Sequence, residues 1–237
     1  MSHGIFITGT DTGVGKTLAA TGLVHLAAAG GRRVVGLKPV ASGARRSPGG
    51  LRNEDALALA AESSLPLAYE RTNPWCFEPP IAPHLAAAEV GVELRPADLT
   101  AWYREAAAGA ELAIVEGAGG WRVPLHPDGF LSDLPESLGL DVILVVGLRL
   151  GCLNHARLTA EAIERAGRCR LIGWIGNRVD PDFDRLDDNL ATLTRLLDAA
   201  PLAVMPTFAT PSAGIAARHL DGPAVRVALG LRAAVRP

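Results

Sequence analysis

Gly4-Ile5-Phe6-Ile7-Thr8-Gly9-Thr10-Asp11-Thr12-Gly13-Val14-Gly15-Lys16-Thr17 runs from an apolar stretch, through a glycine-rich turn, into an alanine-rich segment. A short strand, a glycine loop ending in Gly-Lys-Thr and a helix together form a cradle for phosphate. Backbone N–H groups of such a loop turn toward the phosphates, and the helix N-terminus adds its partial positive charge. Lys16 would neutralise terminal phosphate oxygens, and the Thr17 hydroxyl would sit on magnesium. The spacing departs from the usual pattern of a glycine, four residues of any type and then Gly-Lys. Thr10 holds the first glycine position, and Gly9 lies one residue too far away.

Outward from this stretch the chain alternates apolar strands with helices. Val34–Leu37 reads as a second strand, stopped by Lys38-Pro39. Leu112–Val115, Val142–Val146, Leu171–Gly176 and Leu202–Met205 read as four more. Helices are expected over Ala56–Glu62, over Asn154–Ala166 with Asn154 as N-cap, and over Asp184–Ala199. The stretch Ser42–Asn53, rich in Gly, Arg, Ser and Pro, reads as a mobile loop. Asn73-Pro74 is a turn signal, and with Pro79, Pro80 and Pro83 it marks an irregular connection. Apolar strands alternating with helices imply an α/β fold with a mostly parallel sheet covered on both faces. Most motifs fall just after a strand, where open parallel sheets bind their ligands.

Composition narrows the function classes. The 237 residues are 49% hydrophobic and 20% charged, as in a well-packed globular enzyme. A formal net charge of −2 gives no reason to expect nucleic acid or an anionic membrane as partner. Cys76, Cys152 and Cys169 are few, separated and odd in number, which argues against a zinc or disulfide framework and fits a reducing cytoplasm. No targeting segment is visible, and Val142–Leu148 is too short to span a membrane. The histidines His3, His25, His84, His126, His155 and His219 show no metal-ligand spacing.

Several residues could carry chemistry, each beside a plainer reading. Lys38 follows the second strand and is either a surface lysine or a second charge on a transferring phosphoryl group. Glu116, inside Glu-Gly-Ala-Gly-Gly, is either part of a turn or an acid for magnesium. Asp55 is an N-cap or a second metal carboxylate. Asn177-Arg178-Val179-Asp180 is a surface turn or a base-reading segment, with a pattern that also suits guanine.

Taken together, the blocks resemble the dethiobiotin synthetase family. They are Thr8–Thr17, Lys38-Pro39-Val40-x-Ser42-Gly43, Asn53-x-Asp55-Ala56-Leu57, Val115–Trp121 and Gly151-Cys152-Leu153-Asn154-His155. Threonine at position 10 is also what that family shows. The resemblance implies one P-loop nucleoside triphosphate hydrolase-like domain over residues 1–237. It implies ATP- and Mg-dependent ring closure of 7,8-diaminononanoate with CO2 or bicarbonate, by way of a carbamate and a carbamic–phosphoric anhydride. Lys38, Lys16 and Thr12 would be catalytic, and Thr17, Asp55 and Glu116 would hold magnesium. ATP would lie on Gly13, Val14, Gly15, Lys16, Thr17, Leu18, Asp55 and the turn Glu116, Gly117, Ala118, Gly119. Its base would meet Asn177, Arg178, Pro206, Thr207 and Phe208. Thr12, Lys38, Ser42 and Gly119 would surround the diamine. A homodimer is implied, in which Gly151, Cys152, Leu153 and Asn154 of the second copy bind the substrate carboxylate. The stretch Ala209–Pro237 matches the family poorly. Two alternatives share the nucleotide loop. A cobyrinate-type amide ligase would need a glutaminase domain. A partitioning or assembly switch ATPase would carry an early loop lysine where Asp11 stands.

Overall fold

Ile5-Phe6-Ile7 forms the middle of strand β1 (His3–Gly9), with each side chain at most 1% exposed. The computed structural model describes residues 3–232. Five further strands join β1 in one sheet: β2 (Val34–Leu37), β3 (Leu112–Glu116), β4 (Asp141–Gly147), β5 (Arg170–Asn177) and β6 (Ala203–Met205). The order is β6-β5-β4-β1-β3-β2, and every pairing is parallel. β1 therefore lies inside the sheet and is covered on both faces, which is why its sequence is a continuous apolar run and not an alternating one.

The pleat sends Ile5 and Ile7 to one face and Phe6 to the other. On the first face lie Leu23 and Val24 of helix α1 (Lys16–Ala29), with Ile143, Val145 and Ile175. On the second, Phe6, Val35, Leu37 and Val142 meet Leu99 and Leu134. A third cluster, around Trp174, Leu144 and Leu193, closes the β5 side. Each such side chain contributes about 1.5–3 kcal/mol by burial. α1 is alanine-rich because it is covered twice, by the sheet and by helix α6 (Ala213–Leu220). A Cβ on Gly22 would stand 2.8 Å from the Ala216 Cβ, so close packing of α1 on α6 requires glycine there.

The six expected strands are all present, and three local expectations need correction. Ser42–Asn53 is not a featureless loop, because Arg45–Ser47 and Gly50–Arg52 pair as an antiparallel hairpin. The helix expected from Asn154 begins at Cys152 (α4, Cys152–Ala166), because Gly151 caps it in a left-handed conformation with φ 92°. Asn154 lies inside its first turn. The helix expected over Asp184–Ala199 is shorter, Leu186–Leu196 (α5). Helix α2 (Glu54–Glu62) starts slightly earlier than read, and helix α3 (Pro96–Ala106) was not read from the sequence. Residues 233–237 of the poorly matching C-terminal stretch lie outside the described residues.

Candidate active site at the carboxyl ends of the strands

The loop after β1 turns sharply through Gly13 (φ 74°) and Gly15 (φ 89°) into α1. Gly15 faces a second constraint: a Cβ there would come within 2.1 Å of the Asn177 amide nitrogen. Thr10 is not among the described non-glycine residues with positive φ, which are Arg185 and Asp198. Its position makes no conformational demand for glycine, and that explains the departure in spacing. The Thr10 N–H donates to Val145 O at 3.0 Å, fastening the loop to β4. Lys16 Nζ donates to Asp11 O at 2.9 Å.

Lys38 is not a surface lysine. It is 3% exposed, and its Nζ donates to Glu116 Oε1 at 2.6 Å, Asp55 Oδ2 at 2.9 Å and Gly117 O at 3.3 Å. The Thr17 hydroxyl donates to the same Glu116 Oε1 at 2.9 Å. Asp55 is not the N-cap of α2, because the Asn53 side chain takes that role by accepting from Ala56 N. This leaves the Asp55 carboxylate, in the first turn, to reach Lys38. Sequence position brings none of these groups together; they meet because β1, β3 and β2 are neighbours that end side by side.

The electrostatics follow from burial. Lys16 is 6% exposed, and desolvation, then the nearby Lys38 charge, lowers its pKa to about 8 against the pull of Glu116, Asp55 and Asp11. Burial also works against the Lys38 charge, but Glu116 and Asp55 outweigh it and the pKa is raised. Burial raises the Glu116 carboxyl above its ordinary value despite Lys38. Asp55 is lowered: burial opposes this, and the Lys38 charge and hydrogen bond, with Thr17 and Lys16, prevail. Lys16 and Lys38 are the only lysines in the sequence; every other basic residue among the 23 lysines and arginines is arginine. Where a compact point charge of adjustable pKa is wanted, lysine differs from arginine.

These groups line a cleft of about 740 Å³, with Thr12, Gly13, Ser42, Ala118 and Gly119 on its rim. Two of its polar atoms, Glu116 Oε2 and Ser42 Oγ, are buried without a partner. Such orphans are rare unless a ligand or ion completes them. Two carboxylates and a hydroxyl, all oxygen donors, suit magnesium, and the orphaned Glu116 oxygen is free to serve it. Part of the wall is apolar, made by Ala41, Pro80, Ile81, Ala82, Pro83 and Val123. The sequence reading missed that wall, seeing only the prolines of an irregular connection.

Asn177, Arg178 and Pro206–Phe208 lie together, but not on this cleft. The Asn177 amide donates to Val14 O at 3.0 Å on the far side of the loop, and Thr207 Oγ1 donates to Arg178 O at 2.8 Å. Asp180 is used within its own turn, its carboxylate accepting from Asp182 N. Gly151, Cys152, Leu153 and Asn154 do not line the cleft of their own chain. Gly151 and Asn154 are exposed beside Leu150, which is 93% exposed, whereas Cys152 is buried in the Trp174 cluster and Leu153 packs against it.

A family model described as an AAA domain matches residues 3–210. The ATP-dependent dethiobiotin synthetase BioD of Pseudomonas paraeruginosa is 55% identical over 217 residues, spanning 91% of this chain and 95% of that protein. The protein of the same name from Cellvibrio japonicus is 50% identical over 216 residues, 91% and 94% of the two chains. Among solved structures, the septum site-determining protein MinD complexed with Mg-ADP, from Pyrococcus horikoshii OT3, superposes with a TM-score of 0.56 at 17% identity. It covers 87% of this chain and 82% of its own. That likeness concerns the fold alone. These relatives are identical at half of the aligned positions or more and extend over nearly the whole chain, so this chain belongs to the ATP-dependent dethiobiotin synthetase family.

Proposed function

We propose that the protein is a dethiobiotin synthase that closes the cyclic urea of dethiobiotin from 7,8-diaminononanoate, CO2 and ATP. The observation that carries this reading is the Lys38 ammonium, buried between two carboxylates beside the phosphate loop in a cleft whose wall is partly apolar. Phosphoryl transfer asks mainly for positioning and charge neutralisation, and these residues supply both.

One substrate amine adds to CO2, forming an N–C bond and losing a proton, to give a carbamate. A carbamate oxygen attacks the γ-phosphorus and ADP departs, leaving a carbamic–phosphoric anhydride. The second amine attacks the carbonyl carbon, the C–O bond to phosphate breaks, and the ring closes with release of phosphate. Lys38 and Lys16 stabilise charge on the transferring phosphoryl group, and Thr12 orients the reacting end. Gly13, Val14, Gly15, Thr17 and Leu18 cradle the phosphates with loop and helix N–H groups. Thr17, Asp55 and Glu116 would hold magnesium, which supplies charge neutralisation to the terminal phosphates when bound. Gly117, Ala118 and Gly119 bring backbone close to the γ-phosphate, and the unpartnered Ser42 hydroxyl meets the substrate. Asn177 and Arg178, with Pro206, Thr207 and Phe208, receive the base.

The exposed Gly151 and Asn154 at the start of α4 support a homodimer in which Gly151–Asn154 of the second copy bind the substrate carboxylate through backbone N–H groups. The three free cysteines agree with a cytoplasmic setting, and among the described residues no helix is long and apolar enough to cross a membrane. The competing reading, a switch ATPase of the partitioning type, shares the fold but not Asp11 in its loop. Purified protein should consume ATP and form dethiobiotin only when diaminononanoate and CO2 are both present. Rapid ATP turnover without the diamine would reject the reading.

A further inference from the structure

Behind the site, Tyr69 and Asn73 join the backbone of Lys38 to the helix that carries Asp55. The Tyr69 hydroxyl accepts from Asn53 N at 2.7 Å and donates to Asn73 Oδ1 at 3.0 Å. The Asn73 amide donates to Lys38 O at 2.7 Å, and Lys38 N donates to Thr72 O at 2.9 Å. On the other side, the Asn53 side chain caps α2, and Asp55 in that first turn meets Lys38 Nζ. The bonds close a circuit: Lys38 carbonyl, Asn73, Tyr69, Asn53, α2, Asp55, Lys38 ammonium. Asn73 is 2% exposed, so its bonds do not compete with water. Arg52 stacks on the Tyr69 ring at 4.1 Å and holds the phenol in place. Burial, with the Cys76 contact, raises the Tyr69 pKa further above the neutral range, where the phenol is already protonated. The sequence shows only a turn at Asn73-Pro74 and nothing at Tyr69.

We infer that Tyr69 and Asn73 are positioning residues that set Lys38 against Asp55 from behind, through a hydroxyl that holds the start of α2 and an amide that holds the Lys38 carbonyl. Their importance to turnover rests on the function proposed above; their hold on Lys38 does not.

The test uses the full chain without ligands. An amine-reactive ester labels only Lys16, Lys38 and the N-terminus, because no other lysine exists. Mass spectrometry then gives separate rates for the two lysines. In Tyr69→Phe, Lys38 should label roughly five-fold faster or more while Lys16 stays near the parent rate, since labelling of a buried amine reports local opening. Turnover should fall roughly ten-fold with KM for ATP within about two-fold, as expected when orientation and not binding is lost. Cys76→Ala touches the same hydroxyl without breaking the circuit and should match the parent in both. If Tyr69→Phe does not fold, Asn73→Asp, which keeps the acceptor for Tyr69 but loses the donor to Lys38, decides by the same rates. The proposal is overturned if Lys38 labelling is unchanged, if both lysines accelerate together, or if Cys76→Ala behaves like Tyr69→Phe; faster Lys38 labelling with turnover intact upholds the hold on Lys38 and overturns the role given to Lys38 in the proposed function.

Discussion

The two ends of the sheet make an instructive pair. At the carboxyl ends lies a cleft of about 740 Å³ containing Lys38, Glu116, Asp55 and Lys16. At the amino ends lies a larger one, about 1220 Å³, bordered by His3, Arg104, Glu111, Asp141 and Arg170. Both hold charge clusters, yet they differ in burial and completeness. Both oxygens of Asp141 are matched, by a bidentate Arg170 at 2.9 and 3.0 Å and by His3 at 3.1 Å, and Arg170 is exposed. At the carboxyl ends Lys38 and Glu116 are almost wholly buried, and one Glu116 oxygen has no partner. Size does not mark a reaction centre; buried charge held in an incomplete set of bonds does.

Substitutions at the two ends sharpen this contrast. Lys38→Gln should lower kcat by roughly two orders of magnitude or more. The fold should survive, because Glu116, whose pKa burial already raises, can take up a proton when its partner is gone; circular dichroism and a melting curve check that point. A turnover within a few-fold of the parent would remove Lys38 from the mechanism. Asp55→Asn should reduce turnover about ten-fold and raise the magnesium concentration needed for half activity, read from a metal titration. Ile81→Asp on the apolar wall should raise KM for the diamine about ten-fold while leaving KM for ATP within about two-fold. The amino-end change should be smallest. Asp141→Asn should leave kcat unchanged and lower Tm by about 2–4 °C near neutral pH. Asp141 has a lowered pKa: burial opposes this, and Arg170 and His3 outweigh it. Its contribution is therefore full above the ordinary carboxylate range and fades as pH falls through the lowered folded value. The Tm gap between variant and parent should narrow below about pH 4.

How much of this could be read from the sequence depends on the length scale of each feature. β1 and its loop were legible because strand, glycines and helix start are contiguous. The strands were legible because burial on both faces leaves continuous apolar runs such as Val142–Val146. The pairing of Lys38 with Glu116 was not legible, since it depends on the order β1-β3-β2 and joins residues 78 positions apart. Asp55 read most simply as a cap because aspartate suits that role, and only the structure shows Asn53 occupying it. Ile81 and Pro80 carry no motif, and Tyr69 acts only through a hydroxyl placed by tertiary contacts. Gly151 was passed over as a cap in favour of Asn154 because a left-handed glycine start leaves no side-chain signature.

The most direct test of the central claim is a crystal structure with a magnesium–ATP analogue and the diamine bound. The account predicts both ligands at the carboxyl ends of the strands, with Lys38 Nζ hydrogen-bonded to the terminal phosphate and the diamine chain against Ile81. Diamine in the amino-end cavity beside Asp141, or Lys38 still paired with Glu116 and away from the phosphate, would contradict it.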